Sequence, residues 1–245
     1  MQLLSPHDLP FKDVKRIAVV GNAASVLHWR AGSQIEASDL VVRFNEARTK
    51  GFETSVGQRT DILFANFANN LSKSPPPRLT LNPRYIVCLL TARDRDTRPD
   101  AFLEWANGCP VLFSWAPDVL PDPKARRARN LTTGLYALYL IREWFRPESL
   151  FVTGFSAFGN GDSGHYWKGS PPPAIFFHEL DREAQYLGHI LRGYAGKLEL
   201  TPEVDAVMGK KAASAKRPLS KKIGGRVSKA LLDWGTRCRR YSEAF

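Results

Sequence analysis

The sequence has few of the residues that mark disulfide or metal sites. Its three cysteines, Cys88, Cys109 and Cys238, show no CxxC spacing, and an odd number cannot pair completely within one chain. This usage fits a reducing compartment. The five histidines show neither HxxxH nor HExxH spacing, so we expect no zinc site and no other bound metal.

Long apolar runs are also lacking. No window approaches the ~18–20 uninterrupted apolar residues of a membrane span, and the N-terminal stretch has no apolar segment of the secretory kind. We therefore expect a cytoplasmic protein without an integral membrane anchor. The 245 residues are 43% hydrophobic and 24% charged, an ordinary globular composition that excludes collagen-like and disordered classes.

The net charge of +11 is unevenly distributed. Between Gly209 and Phe245, eleven lysines and arginines stand against two acidic residues, so residues 1–208 are nearly neutral. This asymmetry predicts a globular domain, 1–208, followed by a basic tail, 209–245.

The tail combines its positive charge with apolar residues at helical spacing. These are Ile223, Val227, Ala230, Leu231 and Trp234. A basic amphipathic segment of this kind favours peripheral contact with an anionic membrane, here the inner face of the cytoplasmic membrane. A solvated tail is the alternative, and no recognition motif supports a nucleic-acid partner.

Six short apolar runs alternate with helical stretches or loops. The runs are 16–20, 39–44, 60–64, 84–90, 110–113 and 149–153. Runs of this length and composition are typical of strands buried on both faces. Residues 133–145 form the strongest helical pattern, with Thr132 or Thr133 as N-cap, and residues 180–194 form a second. This alternation predicts an α/β fold, a single Rossmann-like domain with a mostly parallel central sheet flanked by helices.

Candidate ligand-binding residues follow the first two predicted strands. Gly21 and Asn22 come directly after the first strand and Ser25 lies just beyond, at the sheet edge where open α/β folds bind ligands. The spacing is neither GxGxxG nor a P-loop, and a plain strand-to-helix turn is the alternative. Asn45 follows the second strand, where its amide suits recognition of a base or ribose or, alternatively, closes a turn.

Two further candidate groups lie at the starts of the two predicted helices. Thr132, Thr133 and Gly134 offer hydroxyl and amide groups suited to phosphate or carboxylate, with simple helix capping as the alternative. We expect His178 to precede the second helix, where the helix dipole keeps an imidazole neutral and suited to a general base. Within one helix, Glu183 would lie about 140° around the axis from His178, too far for contact. A structural histidine is the alternative.

The order of these segments resembles the motif order of glycosyltransferase family 29, the sialyltransferase family. Residues 17–25, 35–47 and 51–61 closely resemble its large sialyl motif. Residues 130–135 through 152–155 resemble its small motif, and His165-Tyr166, within a long aromatic loop, resembles its third motif. His178 and Glu183 match its very small HxxxxE motif. The resemblance covers about residues 16 to 190 and is that of a soluble, bacterial-type member.

The resemblance implies a GT-A-variant fold and an inverting, metal-independent transferase without a cofactor. Such an enzyme moves a sugar acid from a CMP-activated donor to a hydroxyl of a glycan acceptor. It implies that Asn22 and Asn45 contact the nucleotide, that Thr132, Thr133 and Gly134 hold CMP and the sugar carboxylate, and that His165 and Tyr166 contact the leaving phosphate. It further implies that His178 deprotonates the acceptor hydroxyl and that Glu183 supports His178 or its helix.

Donor sugar and acceptor stay open at this point. The family's third motif usually continues with an aromatic and an acidic residue, whereas Trp167 and Lys168 follow here, so Kdo is an alternative to sialic acid. The expected acceptor is a cell-surface glycan, such as lipopolysaccharide, or a lipid-linked oligosaccharide, recognised through the loops 66–83 and 155–173. Two other interpretations are a methyltransferase that uses the Gly21-Asn22 turn and a catalytically inactive nucleotide- or RNA-binding protein.

Overall fold

The computed structural model describes residues 9–11, 13–66, 78–90, 99–115, 131–157, 164–168 and 180–209. All of these belong to the first of two compact units, Met1–Ala212. The second unit, Ala213–Phe245, lies outside the described residues, so the division at residue 209 and the membrane contact of the tail stay predictions. In the described ranges, no helix has the length and apolar character needed to cross a bilayer.

A seven-stranded parallel sheet forms the centre of the fold. Its strands are β1 (Arg16–Val20), β2 (Leu40–Phe44), β3 (Ile62–Asn66), β4 (Tyr85–Leu90), β5 (Val111–Trp115), β6 (Ser149–Thr153) and β7 (Lys197–Leu200). They lie in the order β5-β4-β3-β2-β1-β6-β7, and every neighbouring pair is parallel. The predicted α/β fold and the six predicted strands are therefore confirmed.

Helices connect the strands along the chain. They are α1 (Gly32–Glu36), α2 (Glu53–Val56), α3 (Pro99–Ala106), α4 (Thr133–Phe145), α5 (Leu180–Arg192) and α6 (Pro202–Gly209), with a 3-10 helix at Ala24–His28. The two helices predicted from periodicity are α4 and α5, and α4 begins after Thr132 as expected. The other helices are four to eight residues long, too short for the apolar period to reveal them.

Both faces of the sheet are buried, as the continuous apolar runs require. In β1, Ile17 and Val19 join the larger core cluster, which includes buried residues of α4, α5 and α6. Ala18 and Val20 point to the opposite face and join a second cluster with Ile35 of α1. Successive side chains of a strand alternate between faces, so a strand covered on both sides must be apolar throughout.

The direction in which strands are added reverses at β1. The chain builds outward from β1 to β5 and then crosses to β6, which pairs with β1 on its other side. The strand ends meet closely there, because a Cβ atom on Gly21 would lie 2.1 Å from the carbonyl oxygen of Gly154, whose φ is +74°. In open α/β sheets, ligands bind in the crevice at the carboxyl ends of the strands where the order reverses.

Candidate active site

A cavity opens at this reversal point, at the carboxyl ends of the central strands. Its walls are the turns after β1, β2 and β6, the end of β3, the start of α4, part of α5 and the segment around His165. Its polar lining residues are Asn22, Asn45, Asn66, Thr132, Thr133, Ser156, His165 and Glu183. The structure therefore brings together most of the residues that the sequence singled out from separate segments.

Two asparagines occupy the turns after β1 and β2. The amide nitrogen of Asn22 donates to the carbonyl oxygen of Phe44 at 3.1 Å, which ties the end of β1 to the end of β2. The other side-chain atom of Asn22, Oδ1, is buried and has no hydrogen-bond partner in the described structure. Because a buried acceptor without a donor is costly, Asn22 Oδ1 is poised to receive a hydrogen bond from a ligand.

Asn45 combines the two roles considered for it. Its φ of +48° places it in the left-handed region, which asparagine tolerates better than most residues, so it does close a turn. Its side chain also faces the cavity, where Oδ1 accepts the backbone N–H of Asn66 at 2.9 Å and Nδ2 lies 3.4 Å from the hydroxyl of Thr133. Asn45 thereby links the sheet edge to the start of α4.

The first turn of α4 gives the cavity its group best suited to an anion. Thr132 is the N-cap, and its hydroxyl accepts the N–H of Leu135 at 3.4 Å. The first residues of an α-helix have N–H groups without intrahelical partners, and the helix dipole adds partial positive charge there. The N–H groups of Thr133 and Gly134 are thus available, in a 13-residue helix, to a phosphate or carboxylate in the cavity.

Glu183 of α5 holds this first turn in place from the opposite wall. Its carboxylate accepts hydrogen bonds from both the backbone N–H of Thr132 and, at 3.0 Å, the Thr132 hydroxyl. Burial raises the pKa of Glu183 to about 7, although the two bonds from Thr132 act in the opposite direction. Glu183 therefore positions α4.

The segment around His165 is joined to the turn after β1. Ala24 donates its N–H to the carbonyl of Gly164 at 3.1 Å, and Tyr166 donates its N–H to the carbonyl of Asn22 at 3.1 Å. An isolated β-bridge links Ala23 and His165. The His165 ring lies 4.6 Å from the Trp167 ring, centroid to centroid, and His165 lines the cavity.

Two of the predicted site residues, Tyr166 and Ser25, are absent from the lining that the described residues form, and a third, His178, is not among the described residues. Tyr166 is buried beneath the site, its hydroxyl donating to the carbonyl of Arg48 and accepting the Arg48 N–H at 3.0 Å. Ser25 lies in the 3-10 helix and is absent from the lining formed by the described residues. His178 lies outside the described residues, so its role as base and its relation to Glu183 stay predictions.

Several lining residues were not among the candidate site residues of the sequence, Asn66 and Phe155 among them. Asn66 ends β3 just as Asn45 follows β2, so the same pattern of a polar residue at a strand end identifies it. No comparable sequence pattern identifies Phe155 as a lining residue. Its ring packs 5.7 Å from that of Phe44 and covers Gly134, where an added Cβ would lie 2.8 Å from the Phe155 ring.

Comparison with known sequences identifies relatives of one kind. The family model described as "Glycosyltransferase family 29 (sialyltransferase)" matches residues 2–91. The chicken and human proteins named CMP-N-acetylneuraminate-beta-galactosamide-alpha-2,3-sialyltransferase 1 are 28% and 26% identical over 66% and 69% of this chain. Those matches cover 50% and 54% of the relatives, so the chain spans about half the length of the curated proteins it matches.

Comparison with solved structures shows a shared fold. Two crystal structures of a mammalian sialyltransferase, one in complex with Gal-beta-1-3GalNAc-ortho-nitrophenol, superpose with TM-scores of 0.52 and 0.51. Their sequence identities are 20% and 21%, and each match covers 77% of this chain and 69% of the other. These matches show that residues 2–91 are similar to glycosyltransferase family 29 and that the chain has the fold of the two solved sialyltransferase structures.

Proposed function

We propose that this protein is a sialyltransferase that moves sialic acid from CMP-sialic acid to a hydroxyl of a glycan. The observation that carries the proposal is that one cavity is lined by the α4 N-terminus together with Asn22, Asn45 and His165. It offers anion-binding N–H groups beside polar side chains suited to a nucleoside. The relatives named for CMP-N-acetylneuraminate support the choice of CMP and of sialic acid.

In the proposed mechanism, the chain stabilises the departing nucleotide. Departure of CMP leaves an oxocarbenium-like sugar, and charge accumulates on the leaving phosphate. The N–H groups of Thr133 and Gly134 and the ring of His165 are already in place around the cavity, so their stabilising interactions require little reorganisation. CMP leaves as a stable anion and needs no strong acid.

The acceptor side of the reaction needs a base. We assign this role to His178, which removes the proton from the acceptor hydroxyl as the oxygen attacks the anomeric carbon from the face opposite CMP. The C–O bond to phosphate breaks as the new glycosidic bond forms, which inverts the configuration. General-base assistance of this kind contributes roughly 10²–10⁴-fold in rate. The proposal includes no metal and no cofactor, so EDTA is expected to leave the transfer rate unchanged.

The first test needs no acceptor. The purified protein is titrated with CMP, UMP, AMP and S-adenosylhomocysteine, and thermal stabilisation is followed; a ligand at 100 times its Kd adds about 2.7 kcal/mol. We expect selective stabilisation by CMP, weakened about tenfold or more by Asn22→Ala, which removes the buried acceptor. Asn82→Ala, at an exposed asparagine outside the cavity, is the matched control and leaves CMP affinity unchanged.

The outcomes separate the candidate functions. Binding of S-adenosylhomocysteine instead of CMP would point to a methyltransferase, and binding of no nucleotide would contradict the proposal. Once CMP binding is established, transfer from CMP-sialic acid and from CMP-Kdo is compared in parallel, with His178→Ala as the inactive control. Retained CMP affinity with abolished transfer in His178→Ala is expected, whereas unchanged transfer would remove His178 from the mechanism.

A further inference from the structure

A second cavity lies beside the candidate active site and shares Asn45 with it. Its other lining residues include Glu46, Arg48, Arg78, Leu79, Leu81 and Trp105. The two cavities therefore share the residue that follows β2. The α4 N-terminus lines the first cavity and the two arginines line the second.

The second cavity is positively charged. Arg48 and Arg78 are exposed, and in the described ranges neither guanidinium has an ion-pair partner. The acidic residue in its described lining, Glu46, is occupied by Lys168, whose ammonium lies 3.4 Å from the Glu46 carboxylate. Two arginine side chains are thus available to an anion, and the planar guanidinium is the side chain best matched to carboxylate and phosphate oxygens.

The backbone that carries Arg48 is fixed in place. The buried Tyr166 hydroxyl exchanges hydrogen bonds with both the N–H and the carbonyl of Arg48, and the Tyr166 ring packs 5.1 Å from that of Phe52. Tyr166 in turn follows His165, which lines the active-site cavity. The position of Arg48 is therefore coupled to the segment that faces the proposed leaving group.

The second cavity also has apolar and aromatic lining residues. Trp105 of α3 is half-buried, its ring 5.0 Å from that of Phe102, and Leu79 and Leu81 pack against the same core cluster. A cavity lined by an aromatic ring, aliphatic side chains and two cations suits a ligand that has both an apolar face and a negative charge. A sugar ring with an acidic substituent meets this description.

We propose that the second cavity binds an anionic sugar residue of the acceptor, whose carboxylate or phosphate contacts Arg48 and Arg78 while its ring lies against Trp105. This inference rests on the proposed function and specifies its acceptor class. In the proposed function, the α4 N-terminus in the first cavity takes the charged groups of the donor. The cavity next to it is therefore assigned to the second substrate.

The test measures binding of simple sugars to the full-length protein saturated with CMP. The probes are galactose, chosen because the relatives are named for beta-galactosamide, and its acidic forms galacturonic acid and galactose 6-phosphate. We expect at least one acidic form to bind about tenfold or more tightly than galactose. Arg48→Gln and Arg78→Gln should each reduce this preference by about fivefold, as loss of a charge-assisted contact predicts.

A control variant distinguishes binding at a specific site from non-specific attraction to the positive charge of the protein. Arg30→Gln removes the same charge at an exposed residue outside both cavities and should leave the preference intact. CMP affinity should be unchanged in all three variants. Inorganic phosphate should bind more weakly than galactose 6-phosphate, since it cannot use the apolar lining residues.

Several results would overturn the inference. These are equal affinity for galactose and both acidic forms, a preference that survives in the Arg48→Gln/Arg78→Gln double variant, or inorganic phosphate binding as tightly as galactose 6-phosphate. Weaker CMP-sialic acid binding in the arginine variants would assign the cavity to the donor and also contradict the inference. Failure of the unaltered protein to bind CMP would contradict the proposed function itself, so the two failures are distinguishable.

Discussion

At the scale of single residues, Glu183 decides where the anion-binding end of α4 lies. It is separated from Thr132 by 51 positions, yet its carboxylate accepts both hydrogen bonds that Thr132 offers. Sequence spacing pairs Glu183 with His178 through the HxxxxE motif and gives no sign of Thr132. The contact becomes visible only once α4 and α5 pack against each other in the core.

The raised pKa of Glu183 makes stability depend on pH in a defined direction. Because the folded-state pKa, about 7, exceeds the ordinary value of 4.5, the folded protein binds the proton more tightly than the unfolded chain. This contribution is fully present below the ordinary pKa and is lost as pH rises through the folded one. The Glu183→Gln variant lacks this pH-dependent contribution to stability, because a glutamine side chain does not titrate.

We therefore expect the free energy of unfolding of the unaltered protein, relative to Glu183→Gln, to fall between about pH 4.5 and pH 7.5. From the pKa difference, we expect this fall in the free energy of unfolding to be on the order of 3 kcal/mol. Urea unfolding of both proteins across this range measures it, and titrations common to both cancel in the difference. A difference that stays constant or rises with pH would contradict the burial argument.

The residues that could be predicted from the sequence are those that follow local rules. Asn22 and Asn45 stand directly after apolar runs, and Thr132 stands directly before a helical pattern. Tyr166 shows what such local rules do not reveal about a side chain. Its motif suggests contact with the leaving phosphate, but the structure buries its ring and directs its hydroxyl to the backbone of Arg48. Direction and burial depend on packing between distant segments.

At the scale of elements, β7 is the strand that the sequence did not reveal. Lys197–Leu200 alternates charged and apolar residues over four positions, unlike the continuous apolar runs of the central strands. Such a short alternating segment is typical of an edge strand. A partly buried ion pair ties it to the sheet, with Arg16 of β1 donating to both carboxylate oxygens of Glu199 at 2.6 and 2.9 Å.

This ion pair gives a second pH prediction of the opposite sign. Hydrogen bonds and charge from Arg16, aided by Lys197, lower the pKa of Glu199 to about 2. The stabilisation is present above the ordinary pKa of 4.5 and is lost as pH falls through the folded one. Partial solvent exposure screens the pair, so its coupling energy should be about 1 kcal/mol.

A double-mutant cycle with Arg16→Gln and Glu199→Gln, followed by urea unfolding at neutral pH, measures this coupling. The matched control is the cycle of Lys15→Gln and Glu148→Gln. That pair is 4.0 Å apart with both side chains more than 70% exposed, and its coupling should be near zero. Equal coupling energies in the two cycles would show that the bidentate contact between Arg16 and Glu199 contributes no more to stability than an exposed ion pair does.

At the scale of the whole molecule, the order of the strands creates the site. Apolar runs in the sequence predict that strands exist, but their pairing joins segments far apart, such as β1 with β6. The reversal of order at β1 brings Gly21 and Gly154 into contact and opens the cavity beside them. Local patterns cannot establish this arrangement. The resemblance to the motif order of glycosyltransferase family 29 predicted which separate segments contribute to one site, but not the order of the strands.

The positive charge of the chain is concentrated in its last 37 residues, which suggests where in the cell the protein acts. We propose that the basic tail, 209–245, holds the otherwise nearly neutral protein against an anionic membrane, close to a membrane-borne acceptor. Each lysine or arginine near such a surface contributes about 1 kcal/mol. Apolar residues spaced among these charges favour insertion into the interface.

Flotation with lipid vesicles tests this proposal on the full-length chain. The unaltered protein is expected to bind vesicles containing anionic lipid, to bind neutral vesicles weakly, and to dissociate as salt screens the charge. Replacing Lys221, Lys222, Arg226 and Lys229 with glutamine should weaken binding to anionic vesicles by about 100-fold or more, since four contributions of about 1 kcal/mol are removed. CMP affinity should not change, because these residues lie outside the domain that contains the cavity. Unchanged vesicle binding in this variant would show that the tail does not direct the protein to membranes.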